Sequence, residues 1–271
     1  MATKVWLITG TSKGFGRVWA EAALKRGDKV VATARNIDSL ASLKQAYGDA
    51  VLPVTLDVNN RVECFSAVDK AVKHFGQIDV LINNAGFGHF GYVEEISESE
   101  ARQQIETNLF GSLWMIQAVL PIMRNQKYGH ILQVSSIGGV MAFPSLGIYH
   151  ASKWAVEGIC ESMNQEVAQF GIKTTLIEPA AYATEWATAS ASISTPIEAY
   201  NGLREAMKAA SSTMTSGDPN ATAEAILKVV DVTNPPLRLF LGKLPLMMIE
   251  PTYNKRLETW KEWNEISANA Q

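Results

Sequence analysis

The chain has 271 residues, 47% of them apolar and 19% charged, with a formal net charge of −3. That composition suits a globular protein with a sizeable core, and it gives no overall attraction to nucleic acid or to an anionic membrane. No apolar run reaches the length of a membrane span, and two isolated cysteines, Cys64 and Cys160, fit reduced buried thiols better than a disulfide framework.

The first apolar run, KVWLIT (4–9), reads as a strand and is too short for a signal-peptide core with its cleavage site. It leads into LITGTSKGFGR (7–17), which passes from strand to helix through Gly10, Gly14 and Gly16. The pattern is G-x-x-x-G-x-G, not the common G-x-G-x-x-G, but the physics is shared. Glycine lets backbone approach a phosphate closely, and a helix N-terminus offers free N–H groups to a pyrophosphate. Ser12, Lys13 and Phe15 fall within the same turn and join the candidate cofactor contacts. A helix follows over about 14–26, then the strand KVVATA (29–34). An acid at the end of that strand would hold a free ribose 2′-hydroxyl. Here the chain reads Ala34-Arg35, and arginine binds a 2′-phosphate bidentately. With Lys13 as a second base nearby, NADP(H) is favoured over NAD(H).

Further strands are expected at 50–58, 79–84, 129–135, 173–178 and 237–242, and helices at about 38–46, 61–75, 99–124, 149–170 and 219–232. The strands are nearly continuous apolar runs, as in a sheet buried on both faces. Strand–helix alternation with right-handed crossovers predicts a single-domain, Rossmann-like, doubly wound parallel sheet of about seven strands spanning 1–271. Residues 183–217 and the tail 243–271 fall outside the alternation; the first reads as a mobile lid, since long loops in compact domains are usually functional. No CxxC or HxxxH spacing occurs, so no protein-built metal site is expected.

In YHASK (149–153) a tyrosine precedes a lysine by one helical turn, and VSSIGG (134–139) puts Ser136 thirteen residues before that tyrosine. Together with LDV (56–58), NNAG (83–86), ETNLFG (106–111) and EPAAYAT (178–184), the chain resembles the short-chain dehydrogenase/reductases of the roughly 250-residue branch. TARN, NNAGFG and PPLRLFLG are similar to 17β-hydroxysteroid dehydrogenase-like and retinol dehydrogenase-like members. The resemblance implies roles: Tyr149 as acid/base, Lys153 on the nicotinamide ribose and lowering the tyrosine pKa, Ser136 on the substrate oxygen, and Asn108 supporting a water relay behind the lysine. It also implies that Asp57, Val58, Asn84, Ala85 and Gly86 contact the adenosine side of the cofactor, and that Pro179, Ala180 and Thr184 close over the nicotinamide. A tyrosine of ordinary pKa, about 10, needs roughly 4 kcal/mol of differential interaction to release its proton near neutral pH. Position i+4 on the same helix face is where an ammonium can contribute. Two departures stand out. Ala180 replaces the usual glycine of the closing segment, and Phe15 replaces a smaller aliphatic residue.

Pocket walls are expected from Phe90, Met141, Phe143, Tyr182 and Trp186, an apolar lining suited to a hydrophobic ketone or secondary alcohol, although several could equally be core. His89 reads as an exposed loop histidine, and His150 as facing away from the site. Helix 108–123 is apolar almost all round, which, with the resemblance, implies a homodimer or homotetramer. The default location is cytoplasmic. The function expected is an NADPH-dependent carbonyl reductase, reversible as an alcohol dehydrogenase. The alternatives are a non-enzymatic NADP(H)-binding regulator or an epimerase or dehydratase on the same fold.

Overall fold

Seven parallel strands form one sheet in the order β3-β2-β1-β4-β6-β7-β9. The computed structural model describes residues 3–188, 190–211 and 215–270. The strands are β1 (Val5–Ile8), β2 (Lys29–Ala34), β3 (Val51–Thr55), β4 (Val80–Asn83), β6 (Gly129–Val134), β7 (Ile172–Pro179) and β9 (Arg238–Leu241). A second, two-residue pairing joins β5 (His89–Phe90) to β8 (Ser192–Ile193) in parallel. The expected seven-stranded doubly wound sheet is present. Its third strand stops at Thr55, and Pro53 is accommodated because β3 is an edge strand.

Side-chain alternation builds two cores. Trp6 and Ile8 of β1 point to the face covered by α1 (Gly14–Lys25) and α8 (Ala223–Asp231), where Trp19 and Ile226 are buried. Leu7 points to the opposite face, covered by α3 (Arg61–Phe75), α5 (Gly111–Gln126) and α6 (Gly147–Val167), where Met115 and Cys160 are buried. Cys64 and Cys160 are free thiols in that second core, and burial pushes both up to about 12.

The chain winds outward from β1 to β3, then returns to place β4 on the other side of β1. The crevice at the carboxyl ends of β1 and β4 is therefore the topological switch point, where doubly wound sheets hold ligands. The helix expected over 99–124 is divided. A Ser97–Glu100 capping box starts α4 (Glu98–Ile105), a π-helical turn covers Glu106–Phe110, and α5 follows. Gly111 permits the re-entry, since a Cβ there would lie 2.7 Å from Val58.

The connection over 183–217 carries structure of its own: β8, and α7 (Asn201–Ser211). It is tied down by the Arg204–Glu95 ion pair and by Ile197 N–H donating to Glu95 at 2.8 Å. Residues 189 and 212–214 of that span lie outside the described residues. The tail folds as α9 (Leu244–Glu262) and α10 (Asn264–Ala268), with Ile249 buried beside Val140. No described helix is long and apolar enough to cross a membrane.

Candidate active site

The glycine turn begins where β1 ends. Gly10 and Gly14 take left-handed φ angles of 70° and 59°, which glycine adopts without strain. Asn84, just past β4, locks the turn by donating through Nδ2 to the carbonyls of Thr9 at 2.9 Å and Gly10 at 3.0 Å. Thr9 Oγ1 in turn accepts from the N–H groups of Asn84 and Ala85. The turn opens onto a cavity of about 1050 Å³ that runs along the carboxyl ends of the strands. Gly10, Ser12, Lys13, Gly14, Phe15, Arg35, Asp57, Val58, Asn84, Ala85, Gly86, Pro179, Ala180 and Thr184 all line it. Gly16 does not: it lies behind the turn, where a Cβ would come within 2.3 Å of the Gly10 carbonyl oxygen.

Arg35 is exposed on the cavity rim. Lys13 is committed differently from expectation, since its ammonium is paired with Glu185 of the overlying connection. Phe15 stacks on Trp19, with centroids 5.0 Å apart, and meets the edge of Tyr182 at 5.2 Å. Tyr182 therefore lines the cavity at the glycine turn. Ala180 needs no glycine: among the described non-glycine residues only Lys127 and Ser145 have positive φ, and the Ala180 N–H donates to Leu241 O at 3.3 Å.

Three side chains meet at the inner end of the cavity. Tyr149 stands in the first turn of α6, with the Ser136 hydroxyl, just past the end of β6, beside its phenol. Lys153, one turn on, donates from Nζ to Val134 O at 2.9 Å, and its Nζ lies 5.7 Å from the Tyr149 ring centroid. Burial dominates both: it raises the Tyr149 phenol to about 12, with the Ser136 hydrogen bond opposing, and lowers the Lys153 ammonium to about 8. The expected net lowering of the tyrosine by its lysine is thus not a property of the protein alone.

Asn108 sits in the π-helical turn, a device often found at functional sites. It is off the cavity wall. Its Nδ2 donates to Phe87 O at 3.0 Å and Ser152 Oγ at 3.1 Å, and its Oδ1 accepts from Phe87 N at 3.1 Å. The side chain pins the segment after β4 to α6.

Beside Tyr149 the wall is aromatic. The Trp186 ring lies 4.9 Å from Tyr149, and Phe90 lies 5.5 Å from Trp186. Phe143 lines the wall, whereas Met141 packs into a small core with Ile137, Val140 and Ile249 and leaves the wall to others. Leu244 and Met248 of α9 line the cavity, one turn apart. Both histidine expectations need correcting. His89 is buried because β5 pairs with β8, and its Nε2 hydrogen-bonds Ser194 Oγ at 2.7 Å. His150 lines the cavity and holds its loop, with Nδ1 on Gly138 O at 2.9 Å and Nε2 accepting from Phe143 N at 2.9 Å.

The family model for short chain dehydrogenases matches residues 4–193. Oxidoreductase BOA17 of Botryotinia fuckeliana is 44% identical over 270 residues, covering 98% of each chain. A 3-ketodihydrosphingosine reductase of Bacteroides thetaiotaomicron is 36% identical over 250 residues, covering 90% of each. Among solved structures, a short chain dehydrogenase of Burkholderia cenocepacia in complex with NADP superposes with a TM-score of 0.77 at 26% identity, covering 96% of this chain and 97% of that one.

Proposed function

The chain belongs to the short-chain dehydrogenase family, and on that footing we propose that this oxidoreductase is an NADPH-dependent carbonyl reductase, reversible as a secondary alcohol dehydrogenase, acting on hydrophobic ketones and alcohols. The observation that carries the reading is the Tyr149 phenol between Ser136 and Lys153, facing an aromatic wall at the end of a switch-point cavity.

The residues present fit a dinucleotide. A Cβ at Gly14 would meet nothing within 4 Å, so there is open space over the start of α1 for a pyrophosphate. Asp57, Val58 and Ala85 line the adenosine end, with Arg35 at the rim for a 2′-phosphate. Lys153 would hold the nicotinamide ribose, and Pro179, Ala180 and Thr184 would cover the ring. NADPH supplies the hydride when bound. Tyr149 then protonates the nascent alkoxide, while the Ser136 hydroxyl stabilises negative charge on that oxygen. Phe90, Phe143 and Trp186 exclude water and suit an apolar substituent; the ketosphingoid relative makes a long-chain 3-ketone a natural member of a test panel.

The raised phenol sets the pH dependence of the two directions. Reduction needs the protonated form, which is fully populated at neutral pH when the pKa lies far above it. Oxidation needs the phenolate. Initial rates of alcohol oxidation are therefore expected to climb as pH rises above neutral while ketone reduction, whose acid stays protonated, does not rise. Parallel profiles in both directions would remove Tyr149 as the shared acid and base.

The reading is tested by following NADPH and NADH consumption against aryl ketones, a β-keto ester, a steroid ketone, retinal and a long-chain 3-ketone. Turnover of bulky ketones with NADPH supports it. Tight NADPH binding with silence on every carbonyl would favour the regulatory alternative. Arg35→Asp is expected to weaken NADPH binding by about tenfold or more, by losing a charge-assisted pair to the 2′-phosphate, and to improve NADH; an unchanged ratio of dissociation constants would sink the 2′-phosphate assignment.

A further inference from the structure

The buried face of α6 carries a third ionisable side chain in line with the first two. Tyr149, Lys153 and Glu157 follow at i, i+4 and i+8, and all three are buried. The end of β6 faces them: Ser136 stands beside the Tyr149 phenol, the Val134 carbonyl accepts from Lys153 at 2.9 Å, and Ser135 Oγ, buried without a hydrogen-bond partner, lies beside Glu157. Gly139 leaves room for this, since a Cβ there would lie 2.5 Å from Ser135 Oγ and 3.0 Å from Glu157 Oε1.

Glu157 is also engaged from behind. Glu178, on β7 immediately before Pro179, is fully buried, and Arg238 on β9 donates from Nε to Glu157 Oε2 at 3.1 Å while lying 3.5 Å from Glu178 Oε1. Both Glu178 oxygens and Glu157 Oε1 are buried without a protein donor. Two facing carboxyl groups in that condition are favourable only when one proton lies between them. Burial and the charge of Glu157 hold Glu178 up, and of the two carboxyls only Glu157 accepts a hydrogen bond from Arg238, which places the proton on Glu178. Burial raises Glu157 too, with Arg238 and Glu178 opposing it, and the 3.1 Å hydrogen bond from Arg238 Nε is what favours its ionised form.

We propose that Glu157 is the positioning residue that keeps the Lys153 ammonium charged inside the core, with protonated Glu178 and Arg238 holding Glu157 ionised. Lys153 has no other carboxylate within one turn of its own helix. Of the remaining charged or titratable groups around it, Tyr149 lies on the far side, His150 is held by Gly138 O and Phe143 N, Arg238 and Glu178 act on Glu157, and Cys160 and Glu161 lie further along α6, Glu161 drawn to Arg238 Nη2 at 2.7 Å. The inference rests on Lys153 being the cofactor and tyrosine partner only for its effect on turnover, and not for the charge state itself.

The test is a pH titration of the full-length, cofactor-free protein carrying lysine 13C-labelled at Cε, followed by NMR, with Lys153→Met assigning the resonance. The wild-type midpoint is expected near pH 8, well below an ordinary lysine. In Glu157→Gln it should fall by about one pH unit, because the neighbouring negative charge is gone. Glu178→Gln, whose amide can donate to Glu157 as the protonated acid does, should leave the midpoint in place. An unmoved midpoint in Glu157→Gln, or equal shifts in both variants, would overturn the assignment. Should Glu157→Gln not fold, Glu157→Asp keeps the charge but withdraws it, and must lower the midpoint by a smaller amount; no change there is equally decisive. If the protein binds no NADPH while Lys153 still shifts as expected, the proposed function fails and this inference stands.

Discussion

Tyr149→Phe is expected to lower ketone reduction by about 10³-fold or more while leaving NADPH binding nearly intact. A positioned general acid contributes about 10²–10⁴-fold, and here the same hydroxyl also donates to the developing oxyanion. The substitution is gentle on the fold. Tyr149 is buried, its ring packs against Trp186 at 4.9 Å, and a phenyl ring keeps that contact. The Ser136 oxygen still accepts from Gly138 N at 3.0 Å, so losing the phenol does not release its loop. Lys153 is anchored on Val134 and not on the phenol oxygen, so the ribose contact should survive. Steady-state rates and a fluorescence titration with NADPH separate the two effects. Retained turnover would remove the tyrosine from the chemistry; loss of NADPH affinity together with turnover would mean that the hydroxyl also helps to hold the cofactor.

What the sequence made legible is what local spacing can encode. The alternation of apolar runs and helical periods announced the sheet, and Tyr149 and Lys153 declare a shared helix face by their separation. The turn around Gly10 and Gly14 was equally readable, because strand, glycines and helix are contiguous. The missed features depend on contacts between distant segments. His89 looked exposed because nothing near it in the chain covers it; Ser192 and Ser194, more than one hundred residues later, do. Met141 reads locally as a wall residue, but α9 returns to bury it beside Ile249 and contributes Leu244 and Met248 to the cavity instead. The i,i+4 spacing of Leu244 and Met248 was a usable signal, hidden by reading the tail as an appendage. The angular position of His150 on the helix points it away from Tyr149, yet the loop over 138–143 folds back onto it. Glu157 stood in plain view one turn after Lys153; its significance appears only when β7 and β9 bring Glu178 and Arg238 alongside.

Gly16→Ala should cost both stability and cofactor affinity, and it separates two uses of glycine that the sequence alone cannot distinguish. At Gly14 the demand is conformational: φ is 59°, and a Cβ would meet nothing within 4 Å. Alanine there costs about 1–2 kcal/mol of backbone strain and nothing in packing. At Gly16 the backbone is helical and the demand is steric. A Cβ would lie 2.3 Å from the Gly10 carbonyl oxygen and 2.6 Å from Asn84 Nδ2. Neither can retreat cheaply, because Asn84 Nδ2 is itself the donor that holds Thr9 and Gly10 in the turn. The helix must move off the strand, at about 1–3 kcal/mol for overpacking. The movement opens the N–H groups that would face a bound pyrophosphate, so NADPH affinity should fall by more than in Gly14→Ala, at comparable loss of stability. Urea unfolding and NADPH titration of the two variants give the comparison. Equal affinity losses would mean that strain alone governs the turn; an unimpaired Gly16→Ala would mean that the close packing of α1 against β1 and β4 is not what shapes the cofactor cradle.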